Sequence, residues 1–434
     1  MKPRTVIILW IVALVLGASI YLVKQSASGQ DKNATNRTPG QTLLADFAAD
    51  KAATIEISGA EQSVTLASKD GKWTVAQRDN FPANSRNIND LLRTLAELKV
   101  AQGIEAGPSF APRFGMDEKS SAAETRGLTA VFKDSSGKEL AKVSFGKNLD
   151  AAASNSTFGG GATGRFVRNH SDESGFYAVS EVFGSLSEDP KNWLSEDFIK
   201  VEKIKGISVT KPGSDEKEWE FTRADENADF AFTEAYPGVK TDAAATSPLK
   251  SLFSFSRFDD VVPAAEVEKK ATPEKLQKAV ITTFEGFTYR ITLQPAKPTT
   301  PKEGAEAPAA TDQYLMTVAI EADLAKERKK PEGEKAEEAE AAQKIFDDRL
   351  KVLSDHLEKI KALESRTFEV SKFTIDALLK NRTEFMDKGP GPGVAAPPIP
   401  EGISAVTPPV GIPAQPAPEE ASPAQPAAPE DPSE

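Results

Sequence analysis

The chain of 434 residues carries a formal net charge of −12 and is 39% hydrophobic. This acidic balance argues against nucleic-acid binding, which depends on basic surfaces. Because the chain contains no cysteine, disulfides, thiolate metal sites and thiol nucleophiles are excluded. His170 and His356 are the only histidines, and their polar sequence contexts predict exposed side chains that neither bind a metal nor act as a base.

The uncharged residues 6–23 come first in chain order. As a helix they would span roughly 27 Å, which is close to the ~30 Å hydrocarbon core of a bilayer. Lys2 and Arg4 precede them, and basic residues favour the cytoplasmic side. Residues 1–24 are therefore predicted to be a retained transmembrane anchor with a cytoplasmic N-terminus. A cleaved signal peptide is the alternative because residues 27–29 are small, although the apolar run is longer than usual for one.

A polar spacer rich in Asn, Thr and Gly is predicted over residues 25–42. From residue 43 onward, alternating apolar residues predict strands. Asp70 and Gly71 predict a hairpin turn just before the strand that holds Trp73. A helix with a single apolar face is predicted next. That face holds Ile88, Leu91, Leu92, Leu95 and Leu98.

The second half of the chain repeats this order of elements, which is the signature of an internal duplication. Two similar tandem α+β domains of mixed or antiparallel sheet plus helices are predicted at residues 43–198 and 199–387. The closest match joins residues 176–182, Phe-Tyr-Ala-Val-Ser-Glu-Val, with residues 367–373, Thr-Phe-Glu-Val-Ser-Lys-Phe. Coincidence between two generic α+β segments is the alternative.

Two further correspondences follow from the same alignment. Trp219 is predicted to occupy the strand position of Trp73, and both are expected to be core or sheet-covering side chains. A platform for a ligand is the alternative role for these tryptophans. The apolar helix face of the first half is predicted to recur in the second half as Leu252, Phe255 and Phe258.

An insertion over residues 325–363 separates the last two predicted strands of the second domain. Its Ala-, Glu- and Lys-rich composition predicts one long helix over residues 332–363. Apolar residues recur along this helix with the spacing of a short coiled-coil seam. The seam consists of Phe346, Leu350, Leu353, Leu357 and Ile360. We expect this seam to contact a partner or a second copy, and packing against its own domain is the alternative.

Two segments have low-complexity composition. Residues 295–310 are predicted to form a mobile loop between two strands. Residues 388–434 are dominated by Pro, Ala, Gly and Glu and hold few large apolar groups. Such a segment cannot bury enough surface to offset its ordering entropy, so a disordered tail with polyproline character is predicted.

The motifs that carry chemistry are missing. The glycine-rich residues 159–164 lack the Lys-Ser/Thr of a P-loop and precede a strand rather than a helix. The sequence contains neither the Gly-x-Ser-x-Gly elbow nor the His-Glu-x-x-His pair. A glycosidase-type carboxylate pair stays open, but nothing selects one among the 65 acidic residues. We therefore predict no catalytic residue, no metal site and no cofactor.

Several segments resemble the bacterial family called domain of unknown function 4340. They are residues 70–73 (Asp-Gly-Lys-Trp), residues 81–84 (Phe-Pro-Ala-Asn), the leucine-rich helix and residues 113–116 (Arg-Phe-Gly-Met). Asn84 stands where the family pattern has Asp, and Phe-Gly-Met replaces its Tyr-Gly-Leu. The resemblance covers roughly residues 43–198 and carries over no catalytic residue. It implies a single-pass protein that accompanies ABC-type transport systems related to the gliding-motility type.

The sequence thus predicts a non-enzymatic accessory or scaffold protein, anchored in the inner membrane with its bulk outside the cytoplasm. The resemblance implies that its protein partners belong to an ABC-type transport complex. Two alternatives stay open. One is a module that binds envelope polymers or peptides, and the other is an extracytoplasmic hydrolase with an unidentified carboxylate site.

Overall fold

Two antiparallel β-sheets with accompanying helices make up the described part of the chain, so the predicted α+β class is confirmed. The structure is a computed structural model that describes residues 35–387, except 151–160, 173–174, 234–238, 298–311, 329 and 331–333. The predicted anchor, the low-complexity tail, most of the spacer and most of the loop at residues 295–310 lie outside the described residues. None of the helices described is both long enough and apolar enough to cross a bilayer.

The first sheet has nine described strands, in the spatial order β4-β3-β2-β1-β6-β7-β8-β9-β5. They are β1 (Thr54–Ser58), β2 (Ser63–Lys69), β3 (Lys72–Val75), β4 (Phe81–Pro82), β5 (Gln102–Ile104), β6 (Leu128–Lys133), β7 (Glu139–Asp150), β8 (Ala162–Asn169) and β9 (Phe176–Val179). Its α-helices are α1 (Ser85–Glu97) and α2 (Ala123–Arg126), and 3-10 helices lie at Pro108–Phe114 and Pro190–Trp193.

The second sheet has eight described strands, in the spatial order β12-β11-β10-β14-β15-β16-β17-β13. They are β10 (Ile204–Thr210), β11 (Lys217–Thr222), β12 (Ala231–Phe232), β13 (Asp260–Val262), β14 (Gln277–Thr283), β15 (Phe287–Pro295), β16 (Gln313–Ala322) and β17 (Thr367–Ser371). Its α-helices are α3 (Ala243–Thr246), α4 (Ala264–Lys270), α5 (Ala336–Lys361) and α6 (Lys372–Leu379), with 3-10 helices at Ser247–Ser251 and Arg382–Phe385.

Local sequence signals explain the first elements of the chain. Asp70 and Gly71 both have positive φ, as the predicted two-residue hairpin turn between β2 and β3 requires. Asn84 caps α1, because its side chain accepts a hydrogen bond from the Asn87 amide at 3.2 Å. The apolar face of α1 is buried, which confirms the predicted helix. The buried residues within α1 are Ile88, Leu91, Leu92 and Leu95.

Both sheets share one strand order once β4 is set aside, with β10 in the place of β1 and β17 in the place of β9. The pairing register also agrees across the last two strands. Tyr177 of β9 lies opposite Val167, and Phe368 of β17 lies opposite Met316. The predicted match therefore holds over residues 176–179 and 367–370, whereas beyond the strands residue 372 begins α6 and residues 180–182 form no helix. This agreement favours the predicted duplication.

The same registers show that the predicted equivalence of the two tryptophans is wrong. Ile57 of β1 lies opposite Val64 of β2, and Val209 of β10 lies opposite Trp219 of β11. On the other side of the central strands, Ile57 and Val209 each pair with an alanine of the next strand. Trp219 therefore takes the place of Val64, whereas Trp73 is one strand further out, on β3. Both tryptophans are nevertheless buried, as predicted.

The predicted recurrence of the apolar helix face is also wrong. Phe255 is 94% exposed, although it was expected to match the fully buried Leu95. The physical reason is that α3 is short and passes into a 3-10 helix that ends at Ser251, so helical spacing does not continue to residue 255. Of the other predicted members, Leu252 is buried and Phe258 packs against the core, but no helix joins them.

A shared interface joins the two sheets. Phe81 of β4 packs edge-on against Phe258 and Phe368 of the second half, with ring centroids 5.7 and 5.9 Å apart. Beside this cluster, Arg78 donates two hydrogen bonds, at 2.6 and 2.8 Å, to the carboxylate of Asp260. One hydrophobic core cluster includes buried residues of both sheets. The two predicted domains are therefore packed together through a continuous core.

Candidate functional site

The predicted insertion is a helix, α5 (Ala336–Lys361), which lies between β16 and β17 as the sequence suggested. It begins a few residues later than residue 332 and ends just before residue 363. A helix of this length extends roughly 39 Å. The helix has two halves with different surroundings, and the predicted seam runs through both.

The C-terminal half of α5 packs on the second sheet. Ile360 is 2% exposed within the hydrophobic core, and Leu353 and Leu357 pack against that core. Beyond the helix, Leu363 is buried as well, and the Glu364 carboxylate accepts a hydrogen bond from the Ile320 amide of β16 at 2.7 Å. For these three seam residues, packing on the protein's own domain is what the structure shows. Their assignment to a partner contact is corrected accordingly.

Other apolar side chains of α5 lie in or near solvent, both in its N-terminal half and just past its midpoint. Phe346 and Leu350 are half-buried and lie outside the core cluster of the described residues. Ile345 is 70% exposed and Val352 is 54% exposed. These two lie seven residues apart, on the same side of the helix. Sequence reasoning missed them because they fall outside the seam positions.

Charged residues flank this apolar strip. They are the exposed acidic residues Glu338, Glu340, Asp347 and Asp348, with Lys344 among them. Asp348 and Arg349 lie between Ile345 and Val352 on the same side of the helix. Exposed apolar side chains set among charged ones are found where a helix binds a partner. The side of α5 from Ile345 to Val352 is thus a candidate protein-binding surface.

A cleft of about 250 Å³ lies where α5 meets the second sheet. The Tyr289 hydroxyl of β15 and Nε2 of His356 are 2.8 Å apart at its wall. The cleft is lined by Lys200, Glu202, Glu285, Phe287, Tyr289, Arg349, Val352, Leu353 and His356. Burial lowers the pKa of His356, and it raises the pKa of Tyr289. At neutral pH, the hydroxyl therefore stays protonated beside a neutral imidazole.

Ion pairs lie along this cleft. Glu285 pairs with Arg349 of α5, and Lys200 pairs with Glu202 at 2.7 Å. The two cations and the two carboxylates of the lining therefore balance, and the pair between Glu285 and Arg349 links α5 to the second sheet.

The prediction that both histidines are exposed is wrong. His170 is also partly buried, and its Nε2 lies 2.8 Å from the Ser144 hydroxyl and 3.4 Å from Glu118. Burial, followed by the charges of Lys142 and Arg168, lowers the pKa of His170 to about 4. In a catalytic triad, the acid binds the ring nitrogen opposite the nucleophile. Here the serine and the glutamate share one nitrogen, and Ser144 is buried.

The segments that carry the family resemblance line a second, larger groove of about 740 Å³. Its walls are held by backbone hydrogen bonds, among them Ala83 N–H to the Trp73 carbonyl at 2.9 Å and Ser195 N–H to the Pro82 carbonyl at 2.8 Å. The groove is lined by Gly71, Lys72, Trp73, Thr74, Pro82, Ala83, Asn84, Ser85, Arg86, Asn87, Ser195, Glu196 and Asp197. The described residues hold no group of three or more His, Cys, Asp or Glu side chains that could bind a metal ion.

The described residues form an α+β protein with two matched sheets and a helical insertion. Among them there is no recognisable catalytic centre. The family model described as domain of unknown function DUF4340 matches residues 73–279. This match confirms the resemblance to that domain family over most of the first sheet and the beginning of the second. No curated protein and no solved structure matches the chain.

Proposed function

We propose that this protein is a membrane-anchored accessory or scaffold subunit of an ABC-type transport complex, with its bulk outside the cytoplasm and without enzymatic activity. The link to transport comes from the family resemblance, and the anchor comes from the apolar residues 6–23. The observation that carries the scaffold role is the division of α5 into a side packed on the core and a side that exposes Ile345 and Val352.

The physical argument concerns the exposed side of α5. A helix that only stabilised its own domain would not need large apolar side chains in water, where they promote aggregation. Ile345 and Val352 lie in solvent, whereas Leu353, Leu357 and Ile360 pack the other side of the helix on the core. A rigid helix with a free apolar strip is suited to pack against a helix of another subunit.

A polymer- or peptide-binding module is the second candidate function. The groove lined by the family-signature residues is the observation that favours it, because its volume of about 740 Å³ suits an extended segment. The contacts of His170 and His356 give no similar support to a hydrolase. Among the described residues, no carboxylate orients the second ring nitrogen of either imidazole.

Co-purification tests the first proposal. The full chain is extracted from membranes in mild detergent, and the permease and ATPase subunits recovered with it are quantified. We expect recovery with the wild type and a large loss with Ile345→Glu combined with Val352→Glu. The matched control is Phe373→Glu on α6, where a 93% exposed aromatic residue lies away from α5 in sequence.

The outcomes separate the two parts of the proposal. If the wild type recovers no transporter subunit, the role in transport is wrong. If recovery is equal for the wild type, the α5 variant and the control, the transport link stands, but α5 is not the binding surface.

A further inference from the structure

The N-terminal segment is fixed to the first sheet from the first described residue. Thr35 is buried against the edge strand β5. Two glycines make room for it: a Cβ on Gly103 would lie 2.0 Å from the Thr35 hydroxyl, and one on Gly175 would lie 2.5 Å from its methyl group. Gly175 also has a φ of +85°, which side chains rarely adopt. The close approach of the segment therefore depends on these glycines.

Polar contacts continue this attachment. The Arg37 guanidinium donates to the carboxylate of Asp172 at 3.1 Å, and the Tyr177 hydroxyl donates to the same carboxylate at 2.7 Å. Asp172 is buried, so breaking either contact would leave a poorly solvated charge. Further along, the Leu43 amide donates to the Leu98 carbonyl at 2.7 Å. The segment is thus a fixed part of the first sheet.

This attachment limits how far the protein can be from a membrane. The predicted anchor ends at residue 24, and the fixed segment starts at Thr35. The residues between them reach at most about 35 Å when fully extended. With residues 6–23 in the bilayer, Thr35 and the adjoining edge strand β5 lie within about 35 Å of the end of the anchor.

A surface suited to lipid headgroups lies beside this edge. The 3-10 helix Pro108–Phe114 follows β5, and its Phe110 is 45% exposed. Arg113 of the same helix is exposed, and so is the neighbouring Lys147, whose side chain packs beside Gly115. Neither cation forms a salt bridge within the described residues. Exposed aromatic and basic side chains together are typical of surfaces at the membrane interface.

We infer that the β5 end of the first sheet faces the membrane, and that Phe110, Arg113 and Lys147 contact the headgroups of anionic lipids. This inference rests on the proposed function, because it requires the anchor at residues 6–23. The proposed anchor and the proposed lipid contact can fail separately, because an anchored protein need not touch the lipid surface.

Single-cysteine labelling tests the inference in the full chain. Because the chain has no cysteine, F110C and F373C each provide one unique position for an environment-sensitive fluorophore. Both variants are reconstituted in vesicles of phosphatidylcholine and phosphatidylglycerol that contain a doxyl-labelled quencher lipid. We expect the lipid to quench the F110C label by about half or more and to leave the F373C label nearly unchanged.

A charge-reversed variant measures the headgroup contribution. Adding R113E and K147E to F110C should lower the quenching by about twofold or more in these vesicles and have little effect in pure phosphatidylcholine. An integrated protein whose F110C label is not quenched, or is quenched no more than F373C, overturns the inference alone. A chain that fails to integrate into vesicles overturns the anchor and the inference together.

Discussion

The two sheets match in strand order and pairing register, yet their last two strands are connected in different ways. In the first sheet, β8 and β9 are joined by a short stretch, whereas in the second sheet α5 lies between β16 and β17. The strands on either side keep the same pairing, since Tyr177 and Phe368 occupy matching positions. The comparison teaches that a long helix can be added at this connection without disturbing the sheet.

The largest expected effect concerns Phe368, which the second sheet uses in the aromatic interface with the first. It is fully buried and packs against Phe81, Phe198 and Phe258. Phe368→Ala should lower the free energy of unfolding by about 3–5 kcal/mol because it leaves a cavity between the sheets. Urea unfolding measures this loss. The exposed Phe373→Ala, as control, should change stability by less than about 0.5 kcal/mol.

The histidine of the first sheet provides the next prediction. Burial lowers the folded-state pKa of His170 to about 4, from 6.5 for an ordinary imidazole. Between these values the unfolded chain binds more protons, so His170 makes stability rise with pH across this window, by up to about 3 kcal/mol. That stability is lost as the pH falls from 6.5 to 4. His170→Gln, which can still hydrogen-bond Ser144, should flatten the dependence, as seen by urea unfolding at each pH.

An unchanged pH profile in His170→Gln would contradict this account of the imidazole. The same substitution at His356 is the comparison. Burial lowers the pKa of that imidazole too, but the opposing charges of Glu202 and Glu285 favour its protonated form. We therefore expect a weaker effect in the second sheet than in the first.

The smallest of these effects concerns Tyr177. Tyr177→Phe converts this position to the residue that the second sheet has at Phe368. It removes the hydrogen bond to the buried Asp172 carboxylate, which should cost about 1–2 kcal/mol. Thermal unfolding measures the change. If the variant is as stable as the wild type, Arg37 alone satisfies Asp172, and the attachment of the N-terminal segment does not depend on the hydroxyl.

Local sequence signals predicted the elements whose structure depends on nearby residues. The hairpin at Asp70 and Gly71, the leucine-rich helix α1 and the helical insertion all follow from short-range rules. The match of Tyr177 with Phe368 also emerged from sequence, because identical neighbours kept these strands aligned. Aligning Trp73 with Trp219 gave the wrong strand equivalence. A shared residue type near a turn does not determine which strand pairs with the central strand of the sheet.

The parts of the site that sequence reasoning missed depend on contacts between distant segments. His356 is partly buried because α5 packs on the second sheet, where the Tyr289 hydroxyl of β15 lies 2.8 Å from its Nε2. Which half of the α5 seam is covered depends on where the helix crosses the sheet, and the spacing of apolar residues does not contain that information. A signal was available for His356, which directly precedes the seam residue Leu357 and so lies near the packed face.

The central claim is that α5 is packed on its own domain through Leu353, Leu357 and Ile360 and is free at Ile345. The most direct measurement compares the melting temperatures of Leu353→Glu and Ile345→Glu in the purified full chain. A charge at Leu353 would be forced against the core, so we expect this variant to melt several degrees lower, whereas Ile345→Glu should melt with the wild type. An equal loss in both variants would show that the N-terminal half is packed as well, and would contradict the account.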